Sequence, residues 1–342
     1  MKKIIVLFLL FTGLNIYAEV LHLRFATFLP PPHPYSKFLE KVAKNLSDLS
    51  NGKVEIRYYG SSSLGKAESL YDVTVEGLAD MSLVCNGYTP SLFPISLGVQ
   101  LPFFADSAES STEIVLKMLK KGVFNKEYRD VKYLFPLITA PSYIFSRKKI
   151  TKVKDFKGLR MVGGTKIFKD ICKILGASAI VMSYSDVYLA LQRGVVDAGV
   201  TNWPAAIAGW KWYEVLKYAI DLPIMSGWHC EVLMNKKSWN KVPDNVKKRW
   251  EKVFPSISFA FAKFSDKLDK IMRIKAKKEK MDIIEFSKSE KMKLADMLVP
   301  VWRQWISSNG KDGVNFYQTY VEIREKLKKP VLVKIPEYLG GK

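Results

Sequence analysis

The stretches VKDFKGLR at residues 153–160 and SDVYLALQRGVVDA at residues 185–198 decide how this chain folds. The first ends a loop and begins a strand. The second predicts a short helix, a glycine stop at Gly194 and a buried strand. Strands and helices in this order pair in parallel, with the helices packed on the sheet. The middle of the chain is therefore predicted to form an α/β unit.

An earlier part of the chain has the same alternation. β-α-β-α-β patterns are predicted around strands at 20–28, 54–59 and 81–85, and again around strands at 159–162, 179–181 and 198–201. Ligands in such sheets bind at the carboxyl ends of the strands, in loops that face a crevice. The repeated pattern therefore predicts two similar α/β lobes, joined by hinge strands, with a ligand cleft between them.

The last third of the chain is predicted to be mostly helical. A long amphipathic helix covers about 244–281 and is interrupted by Pro255, and two further helices follow. We expect this long helix to brace both lobes. The expected domains are a first lobe at 19–145, a second lobe at 146–232 and a C-terminal helical segment at 233–342.

The first 18 residues indicate an export signal. Lys2 and Lys3 precede an apolar run over residues 4–14, and the small residue Ala18 follows at the expected cleavage site. The run is shorter than the roughly 20 apolar residues that a membrane-spanning helix needs. We therefore interpret residues 1–18 as a cleaved secretory signal peptide; an uncleaved membrane anchor is the alternative.

The chain is strongly basic, with 54 Lys and Arg against 33 Asp and Glu and a formal net charge of +21. Such a charge can indicate nucleic-acid binding. Here the basic residues are spread along the whole chain, and acidic residues interrupt even the densest region, 263–280. We interpret that region as a solvated helix face and predict no nucleic-acid partner.

The sequence offers no set of residues suited to catalysis. The three histidines, His22, His33 and His229, are scattered, and the GSSSLG stretch at 60–65 misses the spacing of a hydrolase nucleophile elbow. Cys85, Cys172 and Cys230 form no metal motif. Their apolar neighbours favour buried free thiols, with one disulfide and one remaining thiol as the alternative. We predict no enzyme, no catalytic residue, no cofactor and no metal site.

A series of short, ordered pieces carries a family resemblance. The pieces are GKV at 52–54, SLG at 63–65, GLAD at 77–80, GYTP at 87–90, LPF at 101–103, DFKGL at 155–159, LGA at 175–177 and MNK at 234–236. Together they resemble the solute-binding proteins of tripartite ATP-independent periplasmic (TRAP) transporters. The resemblance implies a type II-like periplasmic binding protein fold, a periplasmic location and no enzymatic activity.

The resemblance also implies a function and partners. Such a protein captures a small organic anion, closes around it and delivers it to a sodium-coupled permease built from a small and a large membrane subunit. We expect a monomer. A ligand-sensing protein of the same fold, which presents its closed form to a receptor, is the alternative.

The chain departs from the family at the ligand carboxylate. Family members usually hold that group with an arginine two residues after the basic residue of the Lys-Gly-Leu-Lys/Arg motif. Here Arg160 takes the basic position and Val162 falls where the arginine is expected. Arg160, Arg147 and Lys166 are candidate substitutes, and alternation along a strand puts residues 160 and 162 on one face. A surface charge is the other interpretation of Arg160.

Aromatic and polar residues complete the predicted site. Tyr88, Tyr143 and Trp203 are expected to form aromatic walls of the cleft, whereas Trp210 and Trp212 are expected in the core. His33, Asn86 and Asn202 are candidate hydrogen-bonding partners. Aromatic walls with few polar groups suit a monoanionic ligand with a sizeable apolar or aromatic part.

Overall fold

The computed structural model of the protein describes residues 19–163, 165–182, 184–330, 333 and 335, so the predicted signal peptide lies outside the described residues. The strands are β1 Leu21–Ala26, β2 Val54–Tyr59, β3 Met81–Cys85, β4 Val131–Ile138, β5 Ser142–Ser146, β6 Arg160–Val162, β7 Ser178–Ile180, β8 Ala198–Thr201, β9 Tyr218–Met225, β10 His229–Asn235 and β11 Asp282–Ile284. The helices are α1 Pro34–Leu49, α2 Leu70–Glu76, α3 Ala108–Lys120, α4 Lys166–Leu175, α5 Tyr184–Gln192, α6 Lys236–Lys241, α7 Asp244–Lys278, α8 Lys288–Ser308 and α9 Gly310–Lys326.

The described strands form two separate sheets, one in each lobe. The first has the order β2-β1-β3-β10-β4, and the second has the order β11-β9-β5-β8-β6-β7. Within the first, β1 pairs in parallel with β2 and β3, whereas β10 runs antiparallel to β3 and β4. The predicted two-lobed α/β fold is therefore confirmed, with one reversed strand inserted into the first sheet.

The chain crosses between the lobes three times, twice through short segments and once through α7, and the two short crossings differ from the predicted domain boundaries. Residues 142–145 were expected in the first lobe, but β5 pairs with β8 and β9 in the second sheet. Residues 229–232 were expected in the second lobe, but β10 completes the first sheet between β3 and β4. The hinge therefore consists of residues 139–141 and 226–228.

Helix α7 is continuous through Pro255, contrary to the predicted interruption. A proline inside a helix removes one hydrogen bond and crowds the preceding turn. The buried face of α7, which includes Trp250, Phe254 and Phe261, offsets this cost because it packs on the first lobe. The helix also packs on the π-helical segment Pro204–Gly209 of the second lobe, so it braces both lobes as expected. No helix in the described part of the chain is long and apolar enough to cross a membrane.

The predicted set of three free thiols is wrong, and the one-disulfide alternative holds. Cys85 on β3 and Cys230 on β10 form a disulfide across 145 residues of sequence. The two residues are direct partners in the antiparallel register, which brings their side chains together. Cys172 is the remaining free thiol, and burial raises its pKa to about 12.

Candidate functional site

A cavity of about 70 Å³, which we call the inner cavity, lies between the two lobes. Residues at or beyond the carboxyl ends of β1, β3 and β8 line it, among them Phe28, Tyr88 and Asn202. Helix α1 contributes Tyr35, and helix α7 contributes Phe261. The cavity thus occupies the place where α/β sheets present their ligand-binding loops.

Aromatic rings from both lobes enclose the inner cavity. Tyr88 packs edge-on against Phe28 with 5.3 Å between ring centroids, and Trp228 lies 5.8 Å from Tyr88. From the second lobe, Tyr184 packs edge-on against Trp228 at 5.5 Å, and Trp210 lies 6.4 Å from Tyr184. A chain of ring contacts therefore runs from one lobe to the other, and it gives the cavity an apolar, polarisable wall.

A few polar groups interrupt this wall. The Nδ1 atom of buried His33 accepts a hydrogen bond from the backbone N–H of Tyr35 at 3.2 Å. Burial lowers the pKa of His33 to about 3, so the ring is neutral. Asn202 accepts hydrogen bonds from the Ala205 N–H and the Tyr35 hydroxyl, and its amide nitrogen has no hydrogen-bond partner among the described residues. Among the described residues, no Lys, Arg, Asp or Glu lines the inner cavity.

A second space of about 450 Å³, the outer chamber, adjoins the inner cavity. Both spaces share Phe28, Tyr88, Tyr184 and Trp210, so these rings form the partition between them. Lys66 is the only lysine or arginine in the described chain that lines either space. Two carboxylates, those of Glu68 and Asp186, share the outer chamber with Lys66.

A family comparison identifies the type of protein. Residues 25–309 match the model of the family described as bacterial extracellular solute-binding protein, family 7. The chain belongs to this family. It is a TRAP solute-binding protein, a non-enzymatic component of transport, and proteins of this family work with membrane permease components.

Individual relatives agree with this assignment. The chain is 26% identical over 316 residues to the C4-dicarboxylate-binding periplasmic protein DctP of Rhodobacter capsulatus, which covers 87% of this chain and 90% of that protein. It is 25% identical, with a TM-score of 0.84, to a marine metagenome TRAP solute-binding protein specific for aromatic acid ligands, crystallized with 3-hydroxybenzoate; that match covers 91% and 99% of the two chains. An open complex of a Desulfovibrio salexigens TRAP solute-binding protein is also 25% identical, with a TM-score of 0.78. That match covers 90% of this chain and 97% of the other.

Three of the predicted ligand-binding residues of this family 7 protein lie at the inner cavity. They are His33, Tyr88 and Asn202. Val162, Tyr143 and Trp203 instead form a buried cluster in the second lobe and do not line the cavity. Tyr143 and Trp203, predicted as walls of the cleft, pack against the core and against Arg273 in this arrangement of the lobes.

Arg273 packs against this buried cluster. Its guanidinium lies 4.4 Å from the ring centroid of Tyr143 and 5.1 Å from that of Trp203. It also forms ion pairs with Asp269 on α7 and Asp221 on β9. Arg273 thus connects α7 to the second lobe. Its charge is paired with two carboxylates of the protein.

Arg160, the candidate substitute for the missing arginine, forms an ion pair with Asp197 and does not line the inner cavity. It begins β6, at the end of the strand opposite the cavity, and its side chain hydrogen-bonds to Asp197 and to the carbonyl oxygen of Gly194. Against the effect of burial, which raises it, hydrogen bonds from Arg160 and Lys148 hold the pKa of Asp197 well below its usual range. The other candidate cations, Arg147 and Lys166, are exposed, and neither lines the cavity.

Asn86 is also misplaced by the sequence prediction, because it belongs to a buried polar network. Its amide nitrogen donates to Glu231 and its oxygen accepts from Ser96 and Tyr128. Burial raises the pKa of Glu231 and lowers that of neighbouring His229 to about 4. The network satisfies the amide inside the first lobe and leaves no group directed at a ligand.

Sequence reasoning missed several residues of the cavity wall. Trp210 was expected in the core, yet it lines both spaces, whereas Trp212 is fully buried as expected. Trp228 and Tyr184 were not selected as ligand-binding residues. Trp228 immediately precedes β10, the strand that returns to the first sheet, and this topology places it at the hinge.

Proposed function

We propose that this protein is the periplasmic binding subunit for a small monocarboxylate with an aromatic or similarly apolar body. The observation that carries the proposal is the inner cavity, whose wall is built from aromatic rings of both lobes and lacks Lys and Arg among its described residues. An apolar wall with a few directed polar groups binds an apolar ligand body and orients one polar group.

The charge of the ligand follows from the same wall. Burying a carboxylate without a cationic or hydrogen-bonding partner costs several kcal/mol in order-of-magnitude terms. The neutral His33 ring and the Asn202 amide provide N–H donors for one carboxylate at most. A second carboxylate on the same small ligand would lie against Phe28, Tyr88 or Trp228. This argument disfavours C4-dicarboxylates, although the Rhodobacter capsulatus relative is named for binding them.

The marine metagenome relative, which is specific for aromatic acids, supports this ligand class. We further propose that residues 1–18 direct export and are removed, that the mature protein is a monomer, and that the ligand is passed to the small and large subunits of a sodium-coupled permease. The closed lobes present a composite surface that a permease can distinguish from the open form.

Native mass spectrometry of the purified protein tests the ligand class first, because a co-purified ligand would appear as a bound mass. Thermal unfolding with 3-hydroxybenzoate, benzoate and succinate follows on refolded, ligand-free protein. A ligand at 100 times its dissociation constant adds about 2.7 kcal/mol to the free energy of unfolding. We expect stabilisation by the aromatic acids and none by succinate; a larger shift with succinate contradicts the proposal.

A pair of substitutions locates the binding. Trp210→Ala removes a ring that lines both spaces and should weaken binding of 3-hydroxybenzoate at least tenfold. Tyr213→Ala is the matched control, because this nearby aromatic residue lines neither space. Equal affinities for the two variants would place the ligand elsewhere.

A further inference from the structure

His33 occupies a position that fixes where its proton lies. It is the N-cap residue of α1, and its Nδ1 atom accepts the backbone N–H of Tyr35. A neutral imidazole that accepts through Nδ1 carries its hydrogen on Nε2. The Nε2 atom has no hydrogen-bond partner among the described residues, and the ring lines the inner cavity. His33 is therefore a free N–H donor at the ligand site.

Both lobes hold this ring. Tyr35, from the same lobe, lies 5.2 Å from it, and Trp210, from the opposite lobe, lies 5.7 Å from it. Gly209 lies so close that a Cβ atom there would come within 2.5 Å of Nε2. The side chain is 2% exposed because the second lobe covers it. Separation of the lobes would return the ring to water.

No described charge compensates a proton on His33. Its own helix α1 has no acidic residue in its first turn and presents its positive N-terminal end to the ring. Tyr35 and, around the cavity, Tyr88 and Tyr184 are neutral phenols whose pKa values burial raises. The π-helical segment and Trp210 bring no titratable group. Burial alone lowers the pKa of His33 to about 3 in the ligand-free protein.

The remaining charges near this region lie on α7 and in the outer chamber, where Lys66, Glu68 and Asp186 are separated from the inner cavity by the shared aromatic rings. Two carboxylates of α7 each have a partner of their own. Asp266 accepts hydrogen bonds from the backbone N–H groups of Ala108 and Glu109. Asp269 is paired with Arg273. Neither carboxylate forms an ion pair with His33. Among the described residues, the inner cavity thus offers no cation that could pair with an anionic ligand. His33 likewise has no anion that could pair with its protonated ring.

We propose that His33 takes up a proton from solvent when an anionic ligand binds, so that the ligand carboxylate and the imidazolium form one buried ion pair. This inference rests on the proposed function and adds the partner of the carboxylate. The imidazolium would supply the charge that the family obtains from an arginine at the position of Val162. Nδ1 accepts the Tyr35 N–H only in the neutral ring, so protonation breaks this hydrogen bond and requires another acceptor for the Tyr35 N–H.

The sign of the pH dependence follows from linkage. The bound form holds a proton that the ligand-free form has lost over the whole range from about pH 5 to 8, because burial lowers the pKa of His33 to about 3. The ligand carboxylate stays ionised above about pH 5. Affinity should therefore rise as pH falls from 8 to 6.5, by up to tenfold for each pH unit. An arginine-based site would show no such slope.

Isothermal titration calorimetry with 3-hydroxybenzoate tests this at pH 7.5 in phosphate and in Tris, which differ in ionisation enthalpy. The difference between the two observed enthalpies gives the number of protons taken up, which we expect to be close to one. The His33→Gln variant should bind at least tenfold more weakly at pH 7, with no proton uptake. His22→Gln is the matched control, because His22 is exposed on β1, where it pairs with Glu55.

Nitrogen-15 NMR of the three histidines provides a readout on the intact protein, even where a variant folds poorly. Both ring nitrogens of His33 should become protonated in the complex at pH 7.5. Binding of 3-hydroxybenzoate without proton uptake, or uptake that persists in His33→Gln, overturns this inference and leaves the proposed function intact. Absence of binding by any aromatic acid overturns the proposed function itself.

Discussion

Val162 is buried at the end of β6 in a cluster of aromatic side chains that includes Tyr143, Tyr184 and Trp203. A branched apolar residue suits this environment, whereas a guanidinium would need a carboxylate partner. Arg273, which packs on the Tyr143 and Trp203 rings of this cluster, already has two carboxylate partners. At the scale of single residues, the charge of Arg273 is therefore paired within the second lobe, whereas the inner cavity presents the neutral hydrogen-bond donors His33 and Asn202.

Val162→Arg tests this arrangement. Because the new charge would have no partner in the ligand-free protein, we expect a loss of roughly 3–5 kcal/mol in the free energy of unfolding. Thermal unfolding with and without 3-hydroxybenzoate measures it, and the ligand should restore more stability to this variant than to the wild type. Val162→Ile is the control, since it keeps the site apolar. An unchanged melting temperature for Val162→Arg would show that water or a carboxylate already reaches this position.

Single residues also mark the limit of prediction from the sequence. His33, Tyr88 and Asn202 line the inner cavity because each follows a predicted strand at its carboxyl end or begins a helix there. Asn86 follows a strand too, yet it turns inward to Glu231, which is 145 residues away along the chain. Glu231 lies on β10, which the sequence did not predict as a strand. The hydrogen bond between Glu231 and Asn86 could therefore not be predicted either.

At the scale of elements, β10 determines where the second hinge crossing ends, and it contributes Cys230 to the lining of the inner cavity. It runs antiparallel between β3 and β4, and all seven of its residues are buried. Its sequence, HCEVLMN, contains a histidine, a glutamate and an asparagine, so its apolar pattern is too weak to predict a fully buried strand. The same strand brings Cys230 to Cys85, and both line the inner cavity.

The disulfide between β3 and β10 should contribute to both stability and binding. The double variant Cys85→Ala/Cys230→Ala is expected to lose about 2–5 kcal/mol, because the unfolded chain is released from a loop of more than 100 residues. Its affinity for 3-hydroxybenzoate should also fall, because two rings of the cavity wall lie close to the disulfide in the sequence. Tyr88 follows Cys85 by three residues, and Trp228 precedes Cys230 by two. Calorimetric unfolding and titration measure both effects.

Cys172→Ala is the control for this prediction, because it removes a buried thiol that forms no disulfide. It should keep the affinity of the wild type, since Cys172 lies on α4, away from the cavity. A double variant that matched Cys172→Ala in stability would show that packing in the first sheet, without the covalent bond, holds β3 against β10.

At the scale of the whole molecule, the repeated strand and helix pattern was sufficient to predict two α/β lobes. Local periodicity specifies helices and strands, and the order of elements then restricts the topology. It does not specify where the chain changes lobes, because that depends on which sheet accepts β5 and β10. Both predicted boundaries were displaced for this reason, and with them the expected location of the hinge.

The hinge itself is held by contacts between its two crossings. The backbone N–H of Thr139 donates to the carbonyl oxygen of Trp228 at 3.1 Å, and the N–H of Trp228 donates to the Thr139 hydroxyl at 2.9 Å. Between them lies Gly227, where a Cβ atom would come within 1.8 Å of the Thr139 carbonyl oxygen. Only glycine permits this approach, so the spacing of the two crossings is fixed by residue 227.

Gly227→Ala should therefore uncouple ligand binding from closure. In the wild type, a ligand that contacts both lobes favours the closed form, because those contacts exist together only there. Small-angle X-ray scattering should show a smaller radius of gyration after 3-hydroxybenzoate is added. In Gly227→Ala the crossings must separate, so this decrease should be reduced or absent. Gly158→Ala is the matched control. Its positive φ of 77° makes the substitution strained, but the strain is local because nothing lies within 4 Å of the new methyl group. A loss of compaction in this variant as well would assign the effect to general destabilisation and not to the hinge.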